Sequence, residues 1–255
     1  MINQLRTEFY KLQRNRAFWT IILTIACVSA LLHYLVIIDW WHMSGTPFEH
    51  ANLKEFNAIS TFTAPIFFNL IISPLAGFYI SNEFSHSSVI KNQILSGSKR
   101  SHIYLSKYIV FTLGSMIVTI MIPILTAVIE IFLLGHGEIF TTSSMMYLFR
   151  AYGLFMLQFM GYTAILVILA IVTQDNGKTI IFSIIFTIVM YVIEMAPELP
   201  IVGTIYKNSI FYQFSAVFES SMTSGEIMKA IIIALLTFII LLSCGLMVFS
   251  KKEVK

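Results

Sequence analysis

Six stretches of this 255-residue chain are apolar and almost free of charge, at about 17–38, 62–81, 108–134, 151–173, 179–196 and 227–249. A helix needs about 20 apolar residues to cross a bilayer core. The pattern therefore predicts six transmembrane helices. The fifth run is the shortest, and Pro197 and Pro200 follow it as stop signals. Arg6, Lys11, Arg14 and Arg16 precede the first run, as basic residues precede a secretory signal. That run is longer than the roughly 7–15 apolar residues of a signal core, so it reads as an uncleaved span.

The segments between the runs carry patterns of their own. In residues 1–16, Ile2, Leu5, Phe9 and Leu12 recur at helical spacing beside the four basic residues. This predicts an interfacial amphipathic helix feeding span 1. Residues 82–107 connect spans 2 and 3. There Ser85, Ser87 or Ser88 is placed to cap a short helix with Val89, Ile90 and Leu95 on its apolar side, and Ser96-Gly97-Ser98 ends it. Residues 197–225 are too apolar for a free loop. Lipid-facing backbone must satisfy its own hydrogen bonds, so re-entrant or interfacial helices are expected there.

Composition agrees with the pattern. The chain is 57% hydrophobic and 11% charged. Soluble domains carry about 25% charged residues, so a soluble enzyme, a disordered chain and a nucleic-acid binder are excluded. The expected class is an all-α, polytopic membrane protein forming one transmembrane domain over 1–255. Six spans put both termini on one side. With that side cytoplasmic, twelve Lys and Arg lie inside, against Lys54, Arg150, Lys207 and Lys229 outside. This is the positive-inside arrangement expected of a multi-pass plasma-membrane protein. Residues 1–16 and 82–107 are then cytoplasmic and 197–225 extracellular. Cys27 and Cys244 lie inside apolar runs and read as reduced side chains filling space.

Catalytic and metal chemistry is not visible. Gly177-Lys178-Thr179 resembles the end of a phosphate loop, but that pattern needs a glycine at position 172, where Val172 stands. Asp175-Asn176-Gly177 reads as a tight turn. His42, His50, His136 and Glu138 lie in outer segments, and no metal site is expected. His33, Glu130 and Glu194 are near span ends and are expected to snorkel. Asn69, Ser73 and Gln158 lie deeper, placed either to line a pathway or to join helices by hydrogen bonds. Pro65, Pro74 and Pro123 permit kinks. No chain of ionisable residues crosses the membrane, so the energy source is expected outside this chain.

Residues 79–108 read YISNEFSHSSVIKNQILSGSKRSHIYLSKY. A Glu leaving span 2 (Glu83), a small-residue-rich segment from Ser87 to Leu95, then Ser98–Arg100 and Tyr104–Lys107 before span 3 resemble the permeases of type 2 ABC transporters, the ABC-2 family. Glu8-Phe9-Tyr10-Lys11-Leu12 is similar to that family's N-terminal start. The resemblance implies a type V exporter-like fold and a dimer with itself or a sister permease. It also implies two cytoplasmic ATPase subunits, which carry the ATP and Mg that this chain lacks. The implied coupling residues are Glu8, Lys11, Glu83, Ser87, Ser88, Val89, Ile90, Lys91, Leu95, Lys99 and Arg100. Small size and the absence of an outer domain are similar to Gram-positive permeases of lantibiotic immunity, bacitracin resistance and phenol-soluble-modulin export, which implies amphipathic or hydrophobic peptide cargo. Export of drugs, lipids or polysaccharide is the alternative within the family. Outside it stand a secondary carrier, an intramembrane enzyme, and a non-transporting immunity or sensor protein.

Overall fold

The computed structural model describes residues 1–85, 88–195 and 200–252. Its regular elements are helices, with no strand among the described residues. Six helices are long and apolar enough to cross a membrane: span 1 (Arg16–Ile37), span 2 (Pro65–Phe84), span 3 (Arg100–Leu133), span 4 (Thr142–Thr173), span 5 (Asn176–Glu194) and span 6 (Ser224–Lys251). A separate helix, Ile2–Arg14, precedes them.

Several boundaries differ from the sequence expectation. Span 3 is 34 residues long and begins at Arg100. The polar residues before its apolar run stay helical because their side chains find partners in the fold, as shown below. Span 4 begins at Thr142, capped by the Thr141 hydroxyl, which accepts from the Ser144 amide at 3.2 Å. A separate short helix, Ile59–Thr63, ends at Ala64, whose extended backbone (ψ 130°) precedes Pro65. A residue before proline is driven from the helical region, so span 2 starts at Pro65. Asn176 and Gly177 are already helical. The turn between spans 4 and 5 is instead Gln174, left-handed at φ 54°, and Asp175, whose side chain accepts from the Lys178 amide at 2.8 Å.

Spans 2 and 3 each widen to π-type turns, at Ala76–Ser81 and Ile117–Met121. Pro74 lies just before the first and Pro123 just after the second. A proline inside a helix removes one N–H and crowds the preceding carbonyl, and a widened turn absorbs that defect.

The spans associate mainly as three pairs, 1 with 3, 2 with 5, and 4 with 6. Polar side chains join them. The Asn69 amide donates to the Ser183 carbonyl at 3.0 Å, linking spans 2 and 5. The Gln158 amide donates to the Ala230 carbonyl at 2.9 Å, linking spans 4 and 6. Tyr162 and Thr187 hydroxyls meet at 2.8 Å, and those of Ser29 and Thr126 at 2.5 Å. Such bonds contribute about 0.6–2 kcal/mol each in a membrane. Phe68 sits at the centre of an aromatic core, with Phe155, Phe159, Tyr162 and Phe214 at ring separations of 5.0 to 6.0 Å. His33 is fully buried, with Nδ1 2.7 Å from the Ser29 carbonyl and its ring stacked on Phe62. It does not snorkel, because its helix turns that face toward span 3.

The N-terminal helix, the end of span 6, the start of span 3 and the turn between spans 4 and 5 share the basal end of the bundle. The 197–225 stretch lies at the opposite, distal end. Its described part folds as helices Pro200–Lys207 and Ile210–Ala216, with Phe211, Phe214, Val217 and Phe218 buried. Pro197, the expected stop for span 5, falls outside the described residues.

Close approach is built into one helix pair. A Cβ at Gly245 of span 6 would stand 1.9 Å from the Tyr104 hydroxyl and 2.6 Å from its ring. Tyr104 is 1% exposed and cannot swing aside. Gly245→Ala is therefore expected to destabilise the fold by about 1–3 kcal/mol, the usual cost of overfilling. Thermal unfolding of purified protein checks this: a lowered midpoint is expected, and Tyr104→Ala in the same chain should recover part of it.

Candidate functional site

At the basal end, four charges form a closed ring. Glu8 comes from the N-terminal helix, Lys11 from its next turn, Glu83 from the end of span 2 and Lys107 from span 3. Lys107 Nζ lies 3.1 Å from Glu8 Oε2, and Lys11 Nζ lies 2.9 Å from Glu8 Oε1. Lys11 also pairs with Glu83 Oε1 at 2.9 Å, and Lys107 with Glu83 Oε2 closes the ring. The Tyr79 hydroxyl donates to Glu8 Oε2 at 2.9 Å and reaches the Glu8 carbonyl at 3.2 Å. Signs alternate around the ring and its net charge is zero.

Burial decides what this arrangement is worth. Glu8 and Lys107 are each 2% exposed, whereas Glu83 and Lys11 are the more open corners. Exposed ion pairs contribute little, because water screens them. Removing one partner of a buried pair costs about 3–5 kcal/mol, because an uncompensated charge remains. Burial by itself would raise the Glu8 carboxyl, but Lys107 and Lys11 outweigh it and hold Glu8 below the usual carboxylate range. Burial by itself would lower Lys11, but Glu8 and Glu83 outweigh it and hold Lys11 above the usual lysine range.

The N-terminal helix turns one face to the bundle and leaves another uncovered. Its buried face carries Glu8 and Leu12, flanked by the partly covered Gln4, Leu5 and Lys11. Ile2 and Phe9 are left uncovered by protein. The charges on spans 2 and 3 select this face. Leu12 completes it by lying against Gly114 of span 3, where a Cβ would come within 2.8 Å of Leu12 Cδ2.

A second set of contacts ties the basal helix ends together. Arg100, at the start of span 3, donates from Nη1 to the carbonyls of Ser250 at 3.0 Å and Lys252 at 2.6 Å, where span 6 ends. Lys252 Nζ donates to the Val172 carbonyl at 2.9 Å, where span 4 ends. Cations thus satisfy the free carbonyls at helix C-termini. The Ser81 and Thr179 hydroxyls meet at 2.6 Å, and Thr179 also meets Thr173 at 2.6 Å. The Gly-Lys-Thr threonine is thus bonded within the helix pair.

The structure divides the remaining predicted residues. Ser88 opens the connecting helix Ser88–Leu95, while Ser87 lies outside the described residues. Ile90 is fully buried and Val89 partly so; Lys91, Leu95 and Lys99 are exposed, Leu95 at 75%. The N-terminal helix, Gln93, Ser96, Ser98 and the start of span 3 line one cleft of about 220 Å³. Asn69, Ser73 and Gln158 are buried, and the amides of Asn69 and Gln158 join helices. Sequence reading placed neither Tyr79 nor Lys107 in the site. Lys107 was read as the last residue of the 82–107 connection, so the cost of an unpaired lysine within a spanning helix gave no signal for it. Among the described residues, no group of three His, Cys, Asp or Glu is arranged to hold a metal.

Residues 4–194 match the family model described as ABC-2 family transporter protein. No curated protein matches the chain.

Two outcomes follow from the ring. Glu8→Ala should weaken docking of the N-terminal helix by about 3–5 kcal/mol, seen as faster amide hydrogen exchange over residues 2–14. Lys11→Ala, at an open corner, should have a smaller effect. Docking should also depend on pH. The lowered Glu8 carboxyl stabilises the docked state above its ordinary value, about 4.3, and loses that contribution as pH falls through its folded value. The raised Lys11 contributes fully below about 10.4 and loses its contribution only above that. Exchange over residues 2–14 should therefore be slowest, relative to intrinsic rates, between those limits and rise sharply below about pH 4.

Proposed function

The chain belongs to the ABC-2 transporter family, and from that premise we propose that it is the permease subunit of an ATP-driven exporter of amphipathic or hydrophobic peptides. The family's permeases are membrane components that work with a separate ABC ATPase. In this reading the basal end faces the cytoplasm, and two ATPase subunits bind a dimer of this chain, or of this chain with a sister permease. The twelve-to-four distribution of Lys and Arg supports that orientation.

The observation that carries the mechanism is the buried ring. It joins the N-terminal helix, the end of span 2 and span 3 into one unit at the base of the connecting helix. A push on that helix is then transmitted to two spans at once. The exposed Lys91, Leu95 and Lys99 form the proposed contact with the ATPase. Leu95 is a large apolar side chain left uncovered at the end of the connecting helix, and its burial against a partner would contribute about 1.5–3 kcal/mol. Glu8, Lys11, Glu83 and the buried Ile90 act inside the chain, holding the contact in register. Arg100 holds the base of span 3 against span 6. The aromatic interior suits apolar cargo, and Glu130 and Glu194 leave the middle of the bundle without fixed charge.

Co-purification with the partner ATPase, followed by ATP hydrolysis with and without an amphipathic peptide, tests the proposal. A stable complex stimulated by the peptide is expected. Leu95→Asp should reduce recovery of the ATPase at least tenfold with the chain still folded. Glu83→Gln should keep the complex but lower peptide-stimulated transport. Wild-type recovery in Leu95→Asp, or a complex indifferent to every amphipathic peptide, would contradict the proposed contact or the proposed cargo respectively.

A further inference from the structure

The distal end holds a cavity that the coupling account does not use. It has a volume of about 440 Å³ and lies between spans 2 and 5 and the distal helices Pro200–Lys207 and Ile210–Ala216. Small-molecule sites usually measure about 300–1,000 Å³. Aromatic rings dominate the wall, with Phe67 of span 2, Tyr191 of span 5, and Tyr206, Phe211, Phe214 and Phe218 from the distal segment. Phe67 and Tyr191 are roughly half exposed, which places the mouth on the outer surface of spans 2 and 5.

The polar groups of the wall are unequal. The Thr187 hydroxyl is bonded to Tyr162 and to the Ser183 carbonyl, and the Thr63 hydroxyl to the Ser60 carbonyl. Glu194 is the one charged side chain among the described lining residues. Tyr206 lines the same cavity, which places its ring near the carboxylate. Lys207, next along the helix, is exposed and not part of the wall.

We propose that this cavity binds a lipophilic organic cation, with the aromatic wall taking its apolar body and Glu194 acting as counter-ion. The face of an aromatic ring attracts a cation, and the attraction grows when water is excluded. A carboxylate at an apolar wall favours a cation and repels an anion of the same shape. Charge thus selects among ligands that the apolar wall alone would accept equally. The site needs neither ATP nor the ATPase, so it stands or falls separately from the export reading.

The test uses the full chain in nanodiscs of phosphatidylcholine, with equilibrium dialysis against tetraphenylphosphonium. Tetraphenylborate, an anion of the same shape, is run in parallel, and empty nanodiscs set the partition baseline. Saturable binding of tetraphenylphosphonium at one site per chain is expected, with no saturable binding of tetraphenylborate. Glu194→Gln keeps the shape of an exposed side chain and should weaken binding about tenfold. Ala64→Trp, which fills the wall beside Pro65, should abolish it, with thermal unfolding confirming that both variants are folded. The proposal is overturned by non-saturable uptake, by equal binding of the two ions, or by unchanged affinity in Glu194→Gln. Loss of peptide export in a chain that still binds the cation would count against the export reading alone.

Discussion

A buried carboxylate beside two lysines is the constraint on which the basal half of this protein depends. Glu8 cannot remain charged at 2% exposure without Lys107 and Lys11. Lys107 in turn cannot remain inside span 3 without Glu8 and Glu83. Each charge is tolerated only because the others are present. The N-terminal helix therefore has one docking position on the bundle. The apolar contact of Leu12 with Gly114 has the shape to confirm that position, but a lone Leu–Gly contact would tolerate sliding that a ring of four charges does not.

The distal half is held by different physics. Its specificity comes from ring on ring around Phe68 and from short hydrogen bonds between hydroxyls and amides of neighbouring spans. In lipid, apolar surface gives no net drive for helix association, so close contact and hydrogen bonds must supply it. Asn69 and Gln158 serve that end. The basal end is thus tied by charge and the distal end by shape.

How much of this the sequence disclosed depended on the range of the interaction. The six runs are a local property, and each became a span. The basic N-terminal helix was equally legible, because its period is contained in sixteen residues. Which of its residues dock on the bundle was not legible, because only partners 70 and more residues away make Glu8 an inward position. His33 failed for the same reason, since span periodicity does not say that the face carrying Ser29 and His33 meets Thr126 of span 3. Glu83 and Lys11 were picked out from their motif, yet nothing in the motif tells that both turn toward the same two partners. Span 3 begins at Arg100 because Phe249, Ser250 and Lys252 offer carbonyls to its guanidinium, a contact spanning 150 residues.

The most direct test of the ring is a double-mutant cycle on Glu8 and Lys107, using Glu8→Gln and Lys107→Met, with unfolding free energy as the readout. If the two charges hold each other, each single change is strongly destabilising. The double change then costs less than the sum, by about 1–3 kcal/mol. Additive costs would show that Glu8 and Lys107 are independent, and the account of a helix locked to spans 2 and 3 by mutual charge would fail.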